Sequence, residues 1–121
     1  MKITFALFIL LLVGLNYQIL QAQGKTSKNK QEVLIKTSSE CDMCKIAIEE
    51  GLAFTKGVKF AELTVETKIA KIIYNPKKTN VAKLKEAISK IGYDADEVLA
   101  DPKAYEALPE CCKKGAHDPK Q

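Results

Sequence analysis

The 121-residue sequence lacks or has few of several residue types, and this composition limits the range of functions that the protein can have. It contains no tryptophan and no arginine, and it has a single histidine. Its lysines are scattered and do not alternate with aromatic residues, so the net charge of +4 does not indicate a nucleic-acid-binding surface. The acids Asp94, Asp96 and Glu97 lack the ligand spacing of a calcium or magnesium site. We therefore interpret the charged residues as a solvated surface.

The start of the chain also lacks an apolar run long enough to span a membrane. Residues 3–15 are apolar, but a spanning helix needs roughly 20 such residues. A positive residue, a short apolar run and the small residue Ala22 predict a secretory signal peptide over residues 1–22. No cysteine follows the run directly, so a lipid anchor is not expected; an uncleaved membrane anchor is the alternative. We expect a periplasmic or secreted protein with no stable membrane insertion after signal cleavage.

What the sequence does have is four cysteines, all in the part predicted to be exported: Cys41, Cys44, Cys111 and Cys112. An even number of cysteines in an oxidising compartment favours disulfides as the first interpretation. The C-x-x-C spacing of the first pair fits a structural disulfide, a redox centre or a metal site. Deciding among these three is most of the functional question.

The pattern between the two cysteine pairs predicts one small domain. Residues 23–31 are polar and lysine-rich, which indicates a disordered leader. Residues 32–98 then alternate between strand and helix periodicity, in the order strand, helix, strand, strand, helix, strand. This order predicts an α+β, ferredoxin-like βαββαβ sandwich with two helices on one face of a four-stranded antiparallel sheet. The last strand, at residues 93–98, rests on the least regular pattern.

This topology locates the first cysteine pair at the junction of the first strand and the first helix. Backbone N–H groups are unpaired at a helix start, and the positive end of the helix dipole stabilises a thiolate there. The pKa of a free thiol, about 8.5, can fall to roughly 3.5–7.5 in such a position. A pair of thiolates selects soft cations such as Cu(I), Hg(II), Zn(II) or Cd(II) over Mg(II) or Ca(II).

Several motifs, in the right order, make residues 32–98 resemble the heavy-metal-associated domain of copper chaperones and periplasmic mercury-binding proteins. The matching positions are Cys41-Asp42-Met43-Cys44, Ile48-Glu49, Leu52, Gly57-Val58, Tyr74-Asn75-Pro76 and Ile91-Gly92-Tyr93. One position differs, because Ser39 occurs where the family usually has a methionine.

The resemblance implies a function without catalysis. Cys41 and Cys44 would be the metal ligands, and Tyr93 would lie in the loop packed near them. The ion would be a soft metal, with Cu(I) expected first and Hg(II) or Zn(II) as alternatives. A monomeric carrier would pass it by ligand exchange to a metal-transporting membrane protein or to another carrier. No catalytic residue and no enzyme activity are expected.

Residues 99–121 extend beyond the predicted domain and carry the second cysteine pair. Asp101 followed by Pro102 is typical of a helix start. Cys111, Cys112 and His117 then place three potential ligands close together in the sequence. We expect a second thiolate site, or a flap that closes over the first site. A disulfide with cysteines elsewhere is the alternative for this pair.

Two other functions fit the same cysteines. A thiol–disulfide redox protein would use the C-x-x-C pair, although the chain lacks the larger βαβ framework and the tryptophan expected before the motif. A structural zinc module would join both cysteine pairs in one closed tetrahedral site. That module would unfold on chelation, whereas a carrier with a complete core stays folded without metal.

Overall fold

The computed structural model describes residues 29–116 of the chain. The predicted signal peptide over residues 1–22, most of the predicted leader and His117 lie outside the described residues. Across residues 29–116, no helix combines the length and the apolar character needed to cross a bilayer.

Three antiparallel strands form the sheet: β1 (Gln31–Lys36), β2 (Val58–Thr64) and β3 (Ile69–Tyr74). Strand β3 lies in the centre and pairs with both neighbours, so Ala70 faces Ile35 on one side and Leu63 on the other. Strands β2 and β3 follow one another in the chain and form an antiparallel hairpin. Alternate residues of β3 are buried, as the period of two requires, and they supply one wall of the core.

Two helices supply the other wall. Helix α1 (Asp42–Ala53) buries Cys44, Ile48 and Leu52, which recur every four residues along one face. Helix α2 (Val81–Ile91) buries Leu84 and Ile88 in the same way. Each of these large aliphatic side chains stabilises the fold by about 1.5–3 kcal/mol through loss of water contact.

Local signals set the ends of α2. The side chain of Asn80 accepts a hydrogen bond from the Lys83 amide, which satisfies one of the free N–H groups at the helix start. Gly92 ends the helix in the left-handed conformation, with a φ of 117°. The chain after Gly92 then passes close to the segment that precedes α1, where the Asp94 amide donates a hydrogen bond to the Ser38 hydroxyl.

The fold class is confirmed, but the predicted fourth strand is not a strand in the described part of the chain. Between residues 93 and 98 the ladder is reduced to isolated bridges, which join Ala95 to Thr37 and to Val98. Asp96 adopts a positive φ of 50°, and its carboxylate accepts the Lys36 amide that a longer ladder would use. Within residues 29–116 the sheet therefore has three strands, and the chain turns away from its edge at Asp96.

Residues 101–112 add two short helices beyond this domain. Helix α3 (Pro102–Glu106) begins after Asp101, whose side chain accepts a hydrogen bond from the Ala104 amide. The predicted helix start at Asp101-Pro102 is therefore confirmed. A 3-10 turn, Glu110–Cys112, follows and lies at the start of α1, where its cysteines contact Cys41.

Candidate metal centre

Cys41 and Cys44 lie at the predicted junction of β1 and α1. Cys41 is the residue that precedes α1, in an extended conformation, and its side chain makes no capping hydrogen bond. The two Sγ atoms are 3.4 Å apart. Cys41 is half-buried, whereas Cys44 is fully buried in the core with Ile48 and Leu52. Solvent can therefore reach the thiol of Cys41 but not that of Cys44.

Cys111 and Cys112 come from the 3-10 turn and lie against the first pair. The Cys112 Sγ atom is 3.9 Å from that of Cys41 and 3.9 Å from that of Cys111. The Sγ atoms of Cys41, Cys111 and Cys112 all lie within 4.8 Å of one another. Cys112 is only 2% exposed, and Cys111 is half-buried.

All four cysteines are thiols in this structure. The Sγ separations of 3.4–3.9 Å are well beyond the roughly 2.05 Å of a disulfide bond. Four sulfur atoms therefore surround one small region at the start of α1 without being bonded to each other.

Tyr93 lies next to Cys44 and Cys112, as the family resemblance implies. Burial raises the pKa of Tyr93 strongly, and the neighbouring side chains of Cys112 and Cys44 add to the effect. Its hydroxyl is buried, and no described group is placed well enough to complete a hydrogen bond with it. A thiolate is a far better acceptor than a thiol, so a cation that replaced the Cys112 proton would give this hydroxyl a partner. The site therefore suits a bound cation.

Burial also raises the pKa of the Cys112 thiol, as do the thiols of Cys44 and Cys41, against an opposing effect of the Tyr93 hydroxyl. A buried thiolate without a cation is costly. Cys112 is thus a thiol in the metal-free protein and becomes a ligand only when a cation replaces its proton.

Ser39 and Met43 show how this chain departs from the usual sequence around the pair. Ser39 is fully buried, and its hydroxyl has no hydrogen-bond partner among the described residues. Met43 is 55% exposed, and its Sδ atom is 3.6 Å from the Cys111 Sγ atom. The methionine within the pair therefore contacts the C-terminal extension and does not replace a buried support beneath the loop.

Both apolar and ionic contacts hold the extension in place. Leu108 packs against the core cluster, and Gly92 lies directly under the chain at Ala104 and Leu108. The Lys114 Nζ atom is 2.6 Å from the Asp94 Oδ2 atom. Burial opposes the charge on Asp94, but Lys114 and the Ala100 amide outweigh it and lower the pKa of this carboxyl group. Asp94 is thus partly buried and contacts the extension, whereas Asp96 and Glu97 are exposed, as the interpretation of a solvated surface requires.

The structure brings together every sequence-predicted ligand that it describes, which are Cys41, Cys44, Cys111 and Cys112. His117 lies outside the described residues. Sequence reasoning missed the ion pair between Asp94 and Lys114, because residues 20 positions apart on irregular segments share no periodicity. The apolar Leu108 three residues before Cys111 was the available signal that the extension packs against the domain.

The fold and the thiol pair at the start of α1 define a small α+β domain of the metal-binding type. The heavy-metal-associated domain model matches residues 39–94. The chain belongs to this family, since it also covers nearly the whole length of a relative with more than 30% identity. Cys111 and Cys112 lie beyond the matched residues.

Three similar proteins illustrate the family. The copper chaperone CopZ of Staphylococcus epidermidis is 33% identical over 64 residues, which is 53% of this chain and 94% of the chaperone. A zinc-transporting ATPase of Synechocystis sp. is 37% identical over 69 residues, 57% of this chain but only 9% of the ATPase. The crystal structure of oxidised MerP from Ralstonia metallidurans CH34 matches with a TM-score of 0.54 at 28% identity, over 55% of this chain and 94% of that one.

Proposed function

We propose that this protein is an exported soft-metal carrier. It holds a thiophilic ion on Cys41 and Cys44 and passes it to a partner by exchange of thiolate ligands. The observation that carries the proposal is the position of the two Sγ atoms, 3.4 Å apart at the start of α1. Cu(I) is the ion we propose for this pair alone, with Hg(II) and Zn(II) as alternatives, because thiolates are soft ligands.

Cys41 directly precedes α1, and Cys44 lies in its first turn, so the pair is next to the free N–H groups and the positive end of the helix dipole. The core beneath the pair consists of protein side chains alone, since Ile48, Leu52 and Ile88 are fully buried by their neighbours. Ion release then leaves the domain folded, which a carrier needs and a structural zinc module does not provide.

Exchange would begin at Cys41. Cys41 is half-buried, so part of its side chain reaches solvent, whereas Cys44 is fully buried. An incoming thiolate would reach the ion from the Cys41 side and displace Cys41 first. Cys44 would leave last, because it has no direct access to solvent.

The partner we propose is a metal-transporting membrane protein or another carrier. Support comes from the similarity to a protein named a copper chaperone and to part of a zinc-transporting ATPase. Export to the periplasm or outside the cell is proposed from the signal-like residues 1–22. A monomer suits this role, because a partner has to approach the Cys41 side.

Cu(I) titration of the reduced protein tests the proposal. The Cys41→Ser/Cys44→Ser variant should lose stoichiometric Cu(I) binding while keeping its circular dichroism spectrum. The matched control is Cys111→Ser/Cys112→Ser, which removes the same number of thiols but leaves the first pair. Undiminished Cu(I) binding by the Cys41→Ser/Cys44→Ser variant would show that another site carries the ion.

One observation favours a second function, thiol–disulfide exchange. The close approach of four thiols, with the relative MerP crystallised in an oxidised form, makes disulfide formation accessible. A redox titration separates the two functions. An oxidising potential, catalysed insulin reduction and no retained metal would favour the redox protein.

A further inference from the structure

We infer that the C-terminal extension completes the ion site, with Cys111 and Cys112 joining Cys41 as three thiolate ligands for a divalent thiophilic cation. The inference rests on the proposed carrier function. It adds ligands from residues that lie outside the family match at 39–94. It also names the charge class of the ion.

The sulfur positions fit three-coordinate geometry. Three thiolates about 2.3 Å from one ion, at angles of 120°, place their sulfur atoms about 4.0 Å apart. The Cys41–Cys112 and Cys111–Cys112 separations are both 3.9 Å, and the third separation is no longer than 4.8 Å. A movement of less than about 1 Å would therefore bring the three sulfur atoms to this spacing. Cys44 is 3.4 Å from Cys41 but lies outside this group of three.

The extension is positioned firmly enough to act as a ligand-bearing segment. Cys112 belongs to the buried core cluster, and Leu108 packs against it. The ion pair between Lys114 and Asp94 fixes the chain just after the 3-10 turn. The Lys114 amide also donates to the Tyr105 hydroxyl, with a separation of 3.2 Å. Contacts on both sides of Cys111-Cys112 thus hold these thiols over Cys41.

Charge selects the class of ion. Three thiolates around a divalent ion leave one net negative charge, whereas three around Cu(I) leave two. Excess negative charge is costly at this position, because Cys112 and Cys44 are almost completely removed from water. The three-thiolate site therefore favours Zn(II), Cd(II) or Hg(II), while the Cys41–Cys44 pair alone suits Cu(I).

Cys41 belongs to both sets of ligands, which suggests how the ion would be released. Undocking of the extension would remove Cys111 and Cys112 from the ion, and Cys44 lies 3.4 Å from Cys41 to replace them. The ion would change partners without leaving Cys41. Each thiolate that leaves the ion takes up a proton from water, and each thiol that binds it gives one up, so the step needs no oxidant or reductant.

Titration with Cd(II) under anaerobic, reducing conditions tests the inference, because thiolate-to-cadmium absorbance grows with each bound thiolate. The full chain is compared with Cys111→Ser/Cys112→Ser and with the single variant Cys111→Ser, whose half-buried position keeps its folding secure. In the double variant Cys41 and Cys44 would hold the ion, so two thiolates would replace three. We therefore expect this variant to lose about a third of the absorbance per bound ion and to bind at least roughly tenfold more weakly. Met43→Leu is the matched control, since it changes a sulfur that contacts Cys111 but removes no thiolate.

The outcomes separate this inference from the proposed function. Equal absorbance and affinity in the full chain and in both cysteine variants would overturn the three-thiolate site and leave the carrier with its Cys41–Cys44 pair. No binding of Cd(II) or Cu(I) by the full chain would overturn the proposed function as well. A loss of absorbance in Met43→Leu equal to that in Cys111→Ser would show that packing, not ligation, is the cause, and would also overturn the inference.

Discussion

Each of the two cysteine pairs has one buried and one half-buried thiol, but different parts of the structure position the two pairs. In each pair one thiol is buried in the core, Cys44 or Cys112, and one is half-buried, Cys41 or Cys111. The first pair is fixed by the junction of β1 and α1, which are integral to the fold. The second pair is fixed by docking of an extension outside it. The first pair is therefore as stable as the domain, and the second pair is only as stable as the docking contacts.

The largest expected effect comes from the residue that both ligand sets share. Cys41→Ser should weaken Cd(II) binding by roughly 100-fold or more, since it removes a ligand from the three-thiolate group and from the first pair. Cys44→Ser should change Cd(II) affinity much less, because the three proposed ligands Cys41, Cys111 and Cys112 all remain. Competition with a chelator of known affinity measures both values. Equal losses in the two variants would remove the distinction between shared and unshared ligands.

Replacement of the two buried cysteines, Cys44 and Cys112, should have different effects on the stability of the protein without bound metal. Cys44→Ser places an unpaired hydroxyl in the core of the domain and should cost about 1–3 kcal/mol in the free energy of unfolding. Cys112→Ser should release the extension while changing domain unfolding little. Urea denaturation measures the first effect, and hydrogen exchange at residues 104–112 measures the second. Loss of the whole domain in Cys112→Ser would mean that the extension belongs to the folding unit.

Gly92 connects the two regions. A Cβ atom there would lie 3.0 Å from the Ala104 carbonyl oxygen and 3.1 Å from the Leu108 Cδ2 atom, and the φ of 117° is strained for any other residue. Gly92→Ala should therefore destabilise the protein by about 1–2 kcal/mol and loosen the extension. Thermal unfolding checks this value against Lys90→Ala, an exposed position in the last turn of α2 that should change stability little.

The smallest expected effect concerns the ion pair that fastens the extension. The pKa of Asp94 is lowered in the folded protein, so its contribution to docking is present above the ordinary carboxyl pKa of about 3.9 and is lost as the pH falls through the lowered value. At neutral pH, Lys114→Gln should weaken docking by about 0.5–1 kcal/mol. Hydrogen exchange of the extension between pH 3 and 6 measures both effects. Lys90→Gln, which breaks an exposed pair with Glu86, is the control and should leave the extension protected.

The domain could be predicted from the sequence because its elements have regular periods and clear ends. The alternation of Ala70, Ile72 and Tyr74 and the cap at Asn80 are local signals, and the structure contains both. The prediction of a fourth strand is wrong because Asp96, with a positive φ, turns the chain away from the sheet. Its carboxylate accepts the hydrogen bond of the Lys36 amide in β1, which a fourth strand would otherwise accept. A hydrogen bond from a backbone amide to a distant carboxylate depends on the tertiary structure and leaves no repeating pattern in the sequence.

The candidate site was partly predictable for the same reason. The position of Cys41 and Cys44 followed from the helix start, which is local. The placement of Cys111 and Cys112 over them depends on the packing of Leu108 and on the Asp94–Lys114 pair, which are contacts between segments without periodicity. From the sequence, a flap over the first site and a second site were both possible. The distances between the Sγ atoms in the structure favour one shared site.

X-ray absorption at the cadmium edge, on the reduced full chain loaded with one Cd(II) per molecule, counts the sulfur atoms around the ion most directly. Three thiolates from Cys41, Cys111 and Cys112 predict about three sulfur neighbours, falling to about two in Cys111→Ser/Cys112→Ser. Two sulfur neighbours in both proteins would contradict the shared site. A shell of mostly oxygen and nitrogen neighbours in the full chain would contradict thiolate binding altogether.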